Sequence, residues 1–331
     1  MAIAFDVVQL VLGIAVLYWG AAWLLRGSAT VARALGVKPL VVGLIVVAYG
    51  SSAPELAVST ETALAHAQPI ALGTVIGSCC ANISLILGIT ALISPPQIDR
   101  RVIRRELPIL VGSAIAVPLL LRNGVLSRLE GLVLLVSAFV FTVVSLLISW
   151  RLEEQVGGDD DGDDAPARER SDASLGGRGR PRRSPIVAFG AALAGIVLLL
   201  AGSQLLVRGG RGFAAETEMS ERMLGLTIMA LGTALPELVA AIALAVRGKA
   251  SVAASSVIGA NLLSVFLVLG VTACLSPIRL GERMHLVDLI GLVAITMLGA
   301  LMLRGSRRIS RAEGVVLIAA YVGFIVCAAV F

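Results

Sequence analysis

Gly50-Ser51-Ser52-Ala53-Pro54-Glu55 stands in the middle of one long apolar run, and Gly232-Thr233-Ala234-Leu235-Pro236-Glu237 stands in the middle of another. The offset between them is 182 residues, and it holds without a gap from 43–95 onto 225–277, giving 19 identities in 53 positions. Shared apolar composition alone would match roughly a tenth to an eighth of positions. The matches also fall on residues that hydrophobicity does not select: Gly43/Gly225, Gly50/Gly232, Pro54/Pro236, Glu55/Glu237, Gly77/Gly259, Gly88/Gly270 and Pro95/Pro277. The chain therefore contains an internal repeat with one glutamate at the centre of each copy.

Outward from these centres the chain is apolar. Of its 331 residues 57% are hydrophobic and only 15% charged, with a mean hydropathy of +0.94, which is the composition of an integral membrane protein rather than of a soluble domain. Runs long enough to cross about 30 Å of hydrocarbon lie at 5–25, 39–65, 70–93, 106–121, 126–150, 186–207, 221–246, 250–275, 285–303 and 312–331, the fourth being short. Each is expected to be a helix, because no water is available inside a bilayer to satisfy backbone groups. The fold class is an all-α membrane protein of ten transmembrane helices in two inverted five-helix repeats. With five spans per repeat, span 2 and its copy, span 7, run in opposite directions across the membrane. Such repeats place the substrate site near the midplane, at the repeat interface.

Charge sets the orientation. Of the 27 Lys and Arg, 20 fall in the loops after spans 1, 3, 5, 7 and 9 and 7 in the others, so the odd loops are expected in the cytoplasm and both termini outside, in the plasma (inner) membrane. The N-terminus has no basic segment or small-residue cleavage site, so the first span is expected to remain. The net charge of +5 reflects these loops; no basic patch carries interleaved aromatics, and nucleic acid is not an expected partner. The expected partners are inorganic cations and the lipid bilayer. Residues 1–150 form the first repeat and 186–331 the second. Between them, 151–185 is acidic and then Arg-, Gly- and Pro-rich, which reads as a disordered cytoplasmic linker. It is not a calcium loop, since aligning Gly162 with the EF-hand glycine puts Gly157 and Arg168 where acids are required. Cys79, Cys80, Cys274 and Cys327 lie in apolar runs without zinc or disulfide spacing and read as small packing residues.

A mid-span glutamate costs at least about 2.5–3.5 kcal/mol to insert, and no Lys or Arg sits mid-span to pair with Glu55 or Glu237. Two acids at matching depth point to a cation site. Pro54 and Pro236 lack the N–H that would bond the carbonyls of Gly50 and Gly232, which leaves oxygen ligands beside each carboxylate. An all-oxygen site suits a hard cation such as Ca²⁺, and the absence of His or Cys beside the glutamates argues against softer metals. The following spans carry Gly77-Ser78-Cys79-Cys80-Ala81-Asn82 and Gly259-Ala260-Asn261-Leu262-Leu263-Ser264, with Asn82 and Ser264 each 27 residues after their glutamate. Gly73, Gly77, Gly259 and Ala260 are expected to let spans 3 and 8 approach closely. Asn82 fits an interhelical hydrogen bond and a ligand role equally well.

These segments resemble the two alpha-repeats of the calcium/cation antiporter superfamily, and the prokaryotic sodium/calcium exchangers most closely. Those repeats read close to GTSLPEL followed by GNxIGSNxxN or GNxIGSNxxD; here they are GSSAPEL with IGSCCAN and GTALPEL with VIGANLLS. The resemblance implies that Glu55 and Glu237 are central carboxylates. Ser51, Ser52, Ser78 and Thr233 would supply hydroxyl or carbonyl oxygens, Ala48 and Ala230 backbone carbonyls, and Asn82 the amide, with Ser264 at the equivalent place. It implies alternating access, Ca²⁺ exchanged for Na⁺, no cofactor, and spans 1 and 6 moving against the remaining bundle. The second repeat departs from the motif at Ala234, Ala260 and Ser264, the last standing where an aspartate is common, and the first at Cys79. Proton/calcium exchangers of the superfamily also use two glutamates, so H⁺ is the alternative counter-ion. A monovalent cation/proton antiporter and a non-transporting scaffold are further alternatives. No nucleophile, metal triad or cofactor loop suggests an enzyme, and a paired repeat in one chain argues against an oligomeric channel.

Overall fold

The structure is a computed structural model that describes residues 2–37, 48–156, 184–279 and 286–330. The first repeat holds α1 (Ala2–Ala34), α2 (Ala48–Ser51), α3 (Ala53–Leu64), α4 (Gln68–Ile93), α5 (Arg100–Leu120), β1 (Val125–Leu126) and α6 (Arg128–Val156). The second holds α7 (Pro185–Glu216), α8 (Glu221–Val246), α9 (Ala250–Leu275), β2 (Ile278–Arg279), α10 (Leu286–Ser306) and α11 (Arg311–Val330). Among the described residues, eight helices are long and apolar enough to cross a membrane. The second and fourth expected spans fall outside that set for local reasons. The start of span 2 lies outside the described residues, and the rest is divided at Ser52 into α2 and α3. The fourth, α5, begins with Arg100, Arg101, Arg104, Arg105 and Glu106 and has Pro108 and Pro118 within it.

Several helices run past the expected spans, α1 to Ala34 rather than 25 and α7 to Glu216 rather than 207. Helix α6 continues to Val156, six residues beyond the span expected to close at 150. Most of the expected linker, 157–183, lies outside the described residues.

The repeat is reproduced in hydrogen bonds. Helix α3 ends with Ala67 N donating to Thr62 O at 2.8 Å around His66 (φ 57°), and α8 ends with Lys249 N donating to Leu244 O at 2.9 Å around Gly248 (φ 74°), both at the 182-residue offset. This is the left-handed helix stop that glycine adopts without strain. Helices α6 and α11 both open with reciprocal capping boxes, in which Glu130 Oε2 accepts from Ser127 N at 2.7 Å and Glu313 Oε2 accepts from Ser310 N at 2.7 Å. The strand bridge Val125↔Arg279 joins loops at one end of α5, and Gln97↔Arg308, its repeat counterpart to within a residue, joins loops at the other end. Equivalent contacts at opposite ends are what inverted topology requires.

The two repeats interleave. A Cβ on Gly131 of α6 would lie 2.9 Å from Gly270 O of α9, and one on Gly314 of α11 would lie 2.9 Å from Gly88 O of α4. The last helix of each repeat thus packs on the third span of the other. Helices α4 and α9 form the centre, with 78% and 72% of their apolar windows buried, against 28% for α1, α7 and α11. The most extensive contact is between α1 and α7, which run antiparallel through a seam of glycines. Gly13 meets Leu206, Gly20 meets Leu199 and Gly195, Gly27 meets Ala188 and Ala192, and a Cβ at any of the three would come within 3 Å of facing backbone. Where lipid is as apolar as the helix surface, such close backbone approach is what holds helices together. The α1–α7 pair joins a smaller apolar cluster with parts of α3, α4 and α8, separate from the larger one built on α4, α5, α6 and α8–α11.

Candidate cation site

The same Pro-Glu dipeptide acts differently in the two repeats. Pro54 sits in the first turn of α3, and Ser52 at that helix's N-terminus marks the break after α2, whereas Pro236 lies within the unbroken α8. In both cases the carbonyl four residues earlier has no proline N–H to accept. Gly50 and Gly232 face the α1–α7 pair, with Leu25 3.0 Å from a Cβ at Gly50 and Ile14 3.1 Å from one at Gly232. Helix α8 widens into a π-helical turn at Gly225–Met229, α4 at Ala81–Ile86 and α9 at Ser264–Val268. Single π turns concentrate at functional sites, and here those in α4 and α9 begin within a residue of Asn82 and at Ser264.

Glu55 and Glu237 are buried and within electrostatic reach of each other across the repeat interface. The Ser264 hydroxyl is hydrogen-bonded to Glu55 Oε2 and lies 3.0 Å from Ala260 O. Ser78 is a further polar neighbour of Glu55, and Ser51 interacts with Glu237. Ser78 Oγ lies 3.3 Å from Thr233 Oγ1 and 3.4 Å from Ala230 O, while Thr233 Oγ1 lies 3.1 Å from Ala230 O. The Ala230 carbonyl and the hydroxyls of Ser78 and Thr233 thus converge between α4 and α8. Ser52 is buried at the helix break, and Ala48 opens α2. Inverted symmetry relates Ser264 to Asn82, and the π turn that carries Asn82 packs against α8, the helix of Glu237.

Several buried oxygens here have no hydrogen-bond partner: Glu55 Oε1, both oxygens of Glu237, Asn82 Oδ1 and Asn261 Oδ1. Leaving one such group unsatisfied costs about 1–3 kcal/mol, and more when it is charged, so the donor set fits an oxygen-seeking cation. Among the described residues, no three of His, Cys, Asp and Glu gather closely enough to hold a metal among themselves. The donors beyond the two carboxylates are hydroxyls, amides and carbonyls.

Asn261 is a site neighbour that sequence reasoning did not select. Its Nδ2 donates to Cys79 O at 3.0 Å. Residues 79 and 261 are repeat equivalents, and equivalents can touch only at the pseudo-two-fold axis. The available signal was the exchange of Cys for Asn in an otherwise matched motif. The close approach expected of span 3 is made to span 7: a Cβ on Gly77 would lie 2.4 Å from Leu226 O, and one on Gly73 2.9 Å from Arg222 O. Gly259 has nothing within 4 Å among the described residues.

A further buried pair also escaped the sequence. Arg222 Nε lies 3.5 Å from Asp288 Oδ2, and the guanidinium donates to Ala328 O, tying α8 to α10 and α11. Asp288 is 182 residues after Glu106, so the repeat itself could have drawn attention to it.

The sequence profile described as sodium/calcium exchanger protein matches residues 5–147 and 187–330. The chain belongs to the sodium/calcium exchanger family. This exchanger is 30% identical over 344 residues to the sodium/calcium exchanger MaX1 of Methanosarcina acetivorans, covering 96% of both chains. It is 35% identical over 316 residues to CaxA of Alkalimonas amylolytica, which carries an antiporter designation, covering 94% of this chain and 95% of that one. It is 31% identical over 314 residues to the inner membrane protein YrbG of Escherichia coli K12, covering 95% and 93%. The solved structure of the sodium-calcium exchanger NCX_Mj soaked with 10 mM Na⁺ and zero Ca²⁺ superposes with a TM-score of 0.62 at 27% identity, over 98% of this exchanger and 99% of that chain. The ten-span inverted-repeat fold is that of NCX_Mj. The exchanger is accordingly an integral membrane transporter of inorganic cations and not an enzyme.

Proposed function

We propose that this exchanger carries Ca²⁺ in exchange for Na⁺ by alternating access, with Glu55 and Glu237 as the central ligands. The observation that carries the reading is the pair of buried carboxylates, one from each repeat and within electrostatic reach of each other, with three oxygens unpartnered. Ser51, Ser52, Ser78, Thr233, Asn82 and Ser264 complete the coordination with neutral oxygens, and Ala48 and Ala230 offer carbonyls where prolines and π turns loosen the helices. Ca²⁺ and Na⁺ compete for one set of carboxylates, and competition couples their movement. The α1–α7 pair slides as a unit past the two loosened helices, because Gly50 and Gly232 present no side chain against it. The odd loops face the cytoplasm and both termini the outside.

One observation favours a second reading, in which H⁺ replaces Na⁺. If the Ser264 hydroxyl donates to Ala260 O, 3.0 Å away, it is left to accept a hydrogen bond from a protonated Glu55. The geometry accommodates the acid form of Glu55 as well as the carboxylate.

Uptake of radioactive calcium into proteoliposomes separates these readings. An outward Na⁺ gradient is expected to drive uptake, uptake driven only by a pH gradient selects H⁺, and no uptake under either removes Ca²⁺ as substrate. Glu55→Gln and Glu237→Gln are each expected to lower calcium flux about 100-fold or more, the consequence of losing one partner of a buried charge interaction, with an unchanged elution profile. Wild-type flux in either variant would remove the carboxylates from the mechanism.

A further inference from the structure

Helix α2 is a single turn, Ala48–Ser51, parted from α3 at Ser52. Pro54 has no N–H for the Gly50 carbonyl, so the ladder that would hold α2 in line with α3 is incomplete. One turn of helix is not stable by itself, and its position has to come from what it touches. Yet α2 carries two oxygen sources of the proposed site, Ala48 and Ser51, and Ser51 interacts with Glu237 of the other repeat.

Tyr49 stands between those two residues, and its hydroxyl lies 2.6 Å from Thr142 Oγ1 on α6. Thr142 Oγ1 also donates to Ala138 O, 2.8 Å away and one turn earlier on α6. A threonine hydroxyl has one proton, so the Tyr49 hydroxyl is the donor in the bond between the helices. Gly50, the next residue, turns instead toward Leu25 of α1. At the 182-residue offset the counterparts of Tyr49 and Thr142 are Leu231 and Phe324, which cannot form such a bond. Leu231 belongs to α8, which runs unbroken through Pro236. The tie is thus present in the repeat whose helix is divided and absent from the repeat whose helix is continuous. We infer that Tyr49 is a positioning residue: its hydrogen bond to Thr142 holds α2 where Ser51 and the Ala48 carbonyl serve the cation site. This rests on the proposed function.

Calcium uptake into proteoliposomes at varied calcium concentration tests this, under whichever gradient drives the wild type. Tyr49→Phe strands no partner, because Thr142 keeps its bond to Ala138. It is expected to raise the half-saturating calcium concentration about three- to tenfold, the worth of one hydrogen bond between membrane helices, with maximal flux within about twofold of wild type. Thr142→Val is expected to give the same rise, and the double variant no more than either alone, because all three lack the same bond. Thr142→Ser keeps the hydroxyl and is expected to behave as wild type. Unchanged half-saturation in Tyr49→Phe would overturn the inference, and so would additive effects in the double variant. A fall in maximal flux at unchanged half-saturation would also overturn it, since the bond would then serve movement rather than ligand placement. Should Tyr49→Phe fail to fold, the Thr142 pair decides: a rise in Thr142→Val that Thr142→Ser does not share supports the inference, and equal behaviour overturns it. Absence of driven uptake in wild type would remove the functional reading and this inference together, whereas wild-type uptake that Tyr49→Phe leaves unaltered removes this inference alone.

Discussion

Arg222 and Asp288 show how charge is tolerated at the residue scale. Their side chains are only 7% and 0% exposed, so each needs the other, and Arg222 spends a further donor on Ala328 O. Removing one member strands the other in an apolar environment. Arg222→Met alone is expected to destabilise the protein by about 3 kcal/mol. Arg222→Met with Asp288→Leu is expected to recover most of the loss, because two apolar side chains can replace a buried pair. Thermal melts of the detergent-solubilised protein read both. Glu55 and Glu237 differ from this pair in kind: among the described residues no ion pair joins either to a basic side chain, and under the proposed function their charge is left for a transported cation.

The informative elements are the glycine-lined helices. At Gly20 a Cβ would stand 2.9 Å from Leu199 N and 3.1 Å from Gly195 O, and neither backbone group can give way without parting α1 from α7. Gly20→Leu is expected to cost about 1–3 kcal/mol through overpacking, and to reduce flux further if the pair moves as a unit. Gly112→Leu on α5 is the control, since nothing lies within 4 Å of a Cβ there among the described residues. Melting temperature and calcium flux measured on both variants would show whether the seam matters beyond stability. A break at Ser52 precedes Glu55 by three residues, and the π turns of α4 and α9 begin within a residue of Asn82 and at Ser264.

At the scale of the whole molecule, interleaving makes the halves interdependent. Helix α6 closes on α9 and α11 on α4, so the central helix of each repeat is supported by the other. Under the proposed function, the inverted arrangement would offer similar paths to both faces of the membrane from one central site. The expected orientation follows from 20 basic residues in the odd loops against 7 elsewhere. A protease site inserted at 165–175 is expected to be cut in inside-out vesicles and protected in right-side-out ones. The reverse pattern would invert the assignment of both termini.

The spans, the inverted repeat and the two glutamates were legible in the sequence because glycine, proline and glutamate depart sharply from an apolar background, and a constant offset repeats the departure. The family followed from the same residues. The tertiary structure decided what hydropathy cannot encode. Pro54 accompanies a divided helix and Pro236 a continuous one, although the same Pro-Glu dipeptide stands in both. The glycines of span 3 meet span 7, Asn261 crosses the two-fold axis to its own counterpart, and Arg222 finds Asp288 66 residues away. Lipid and protein interior are equally apolar, so the pattern of hydrophobic residues says that a helix lies in the membrane but not which of its faces meets which neighbour. That choice depends on the fit of backbone to backbone, which exists only once the helices are assembled.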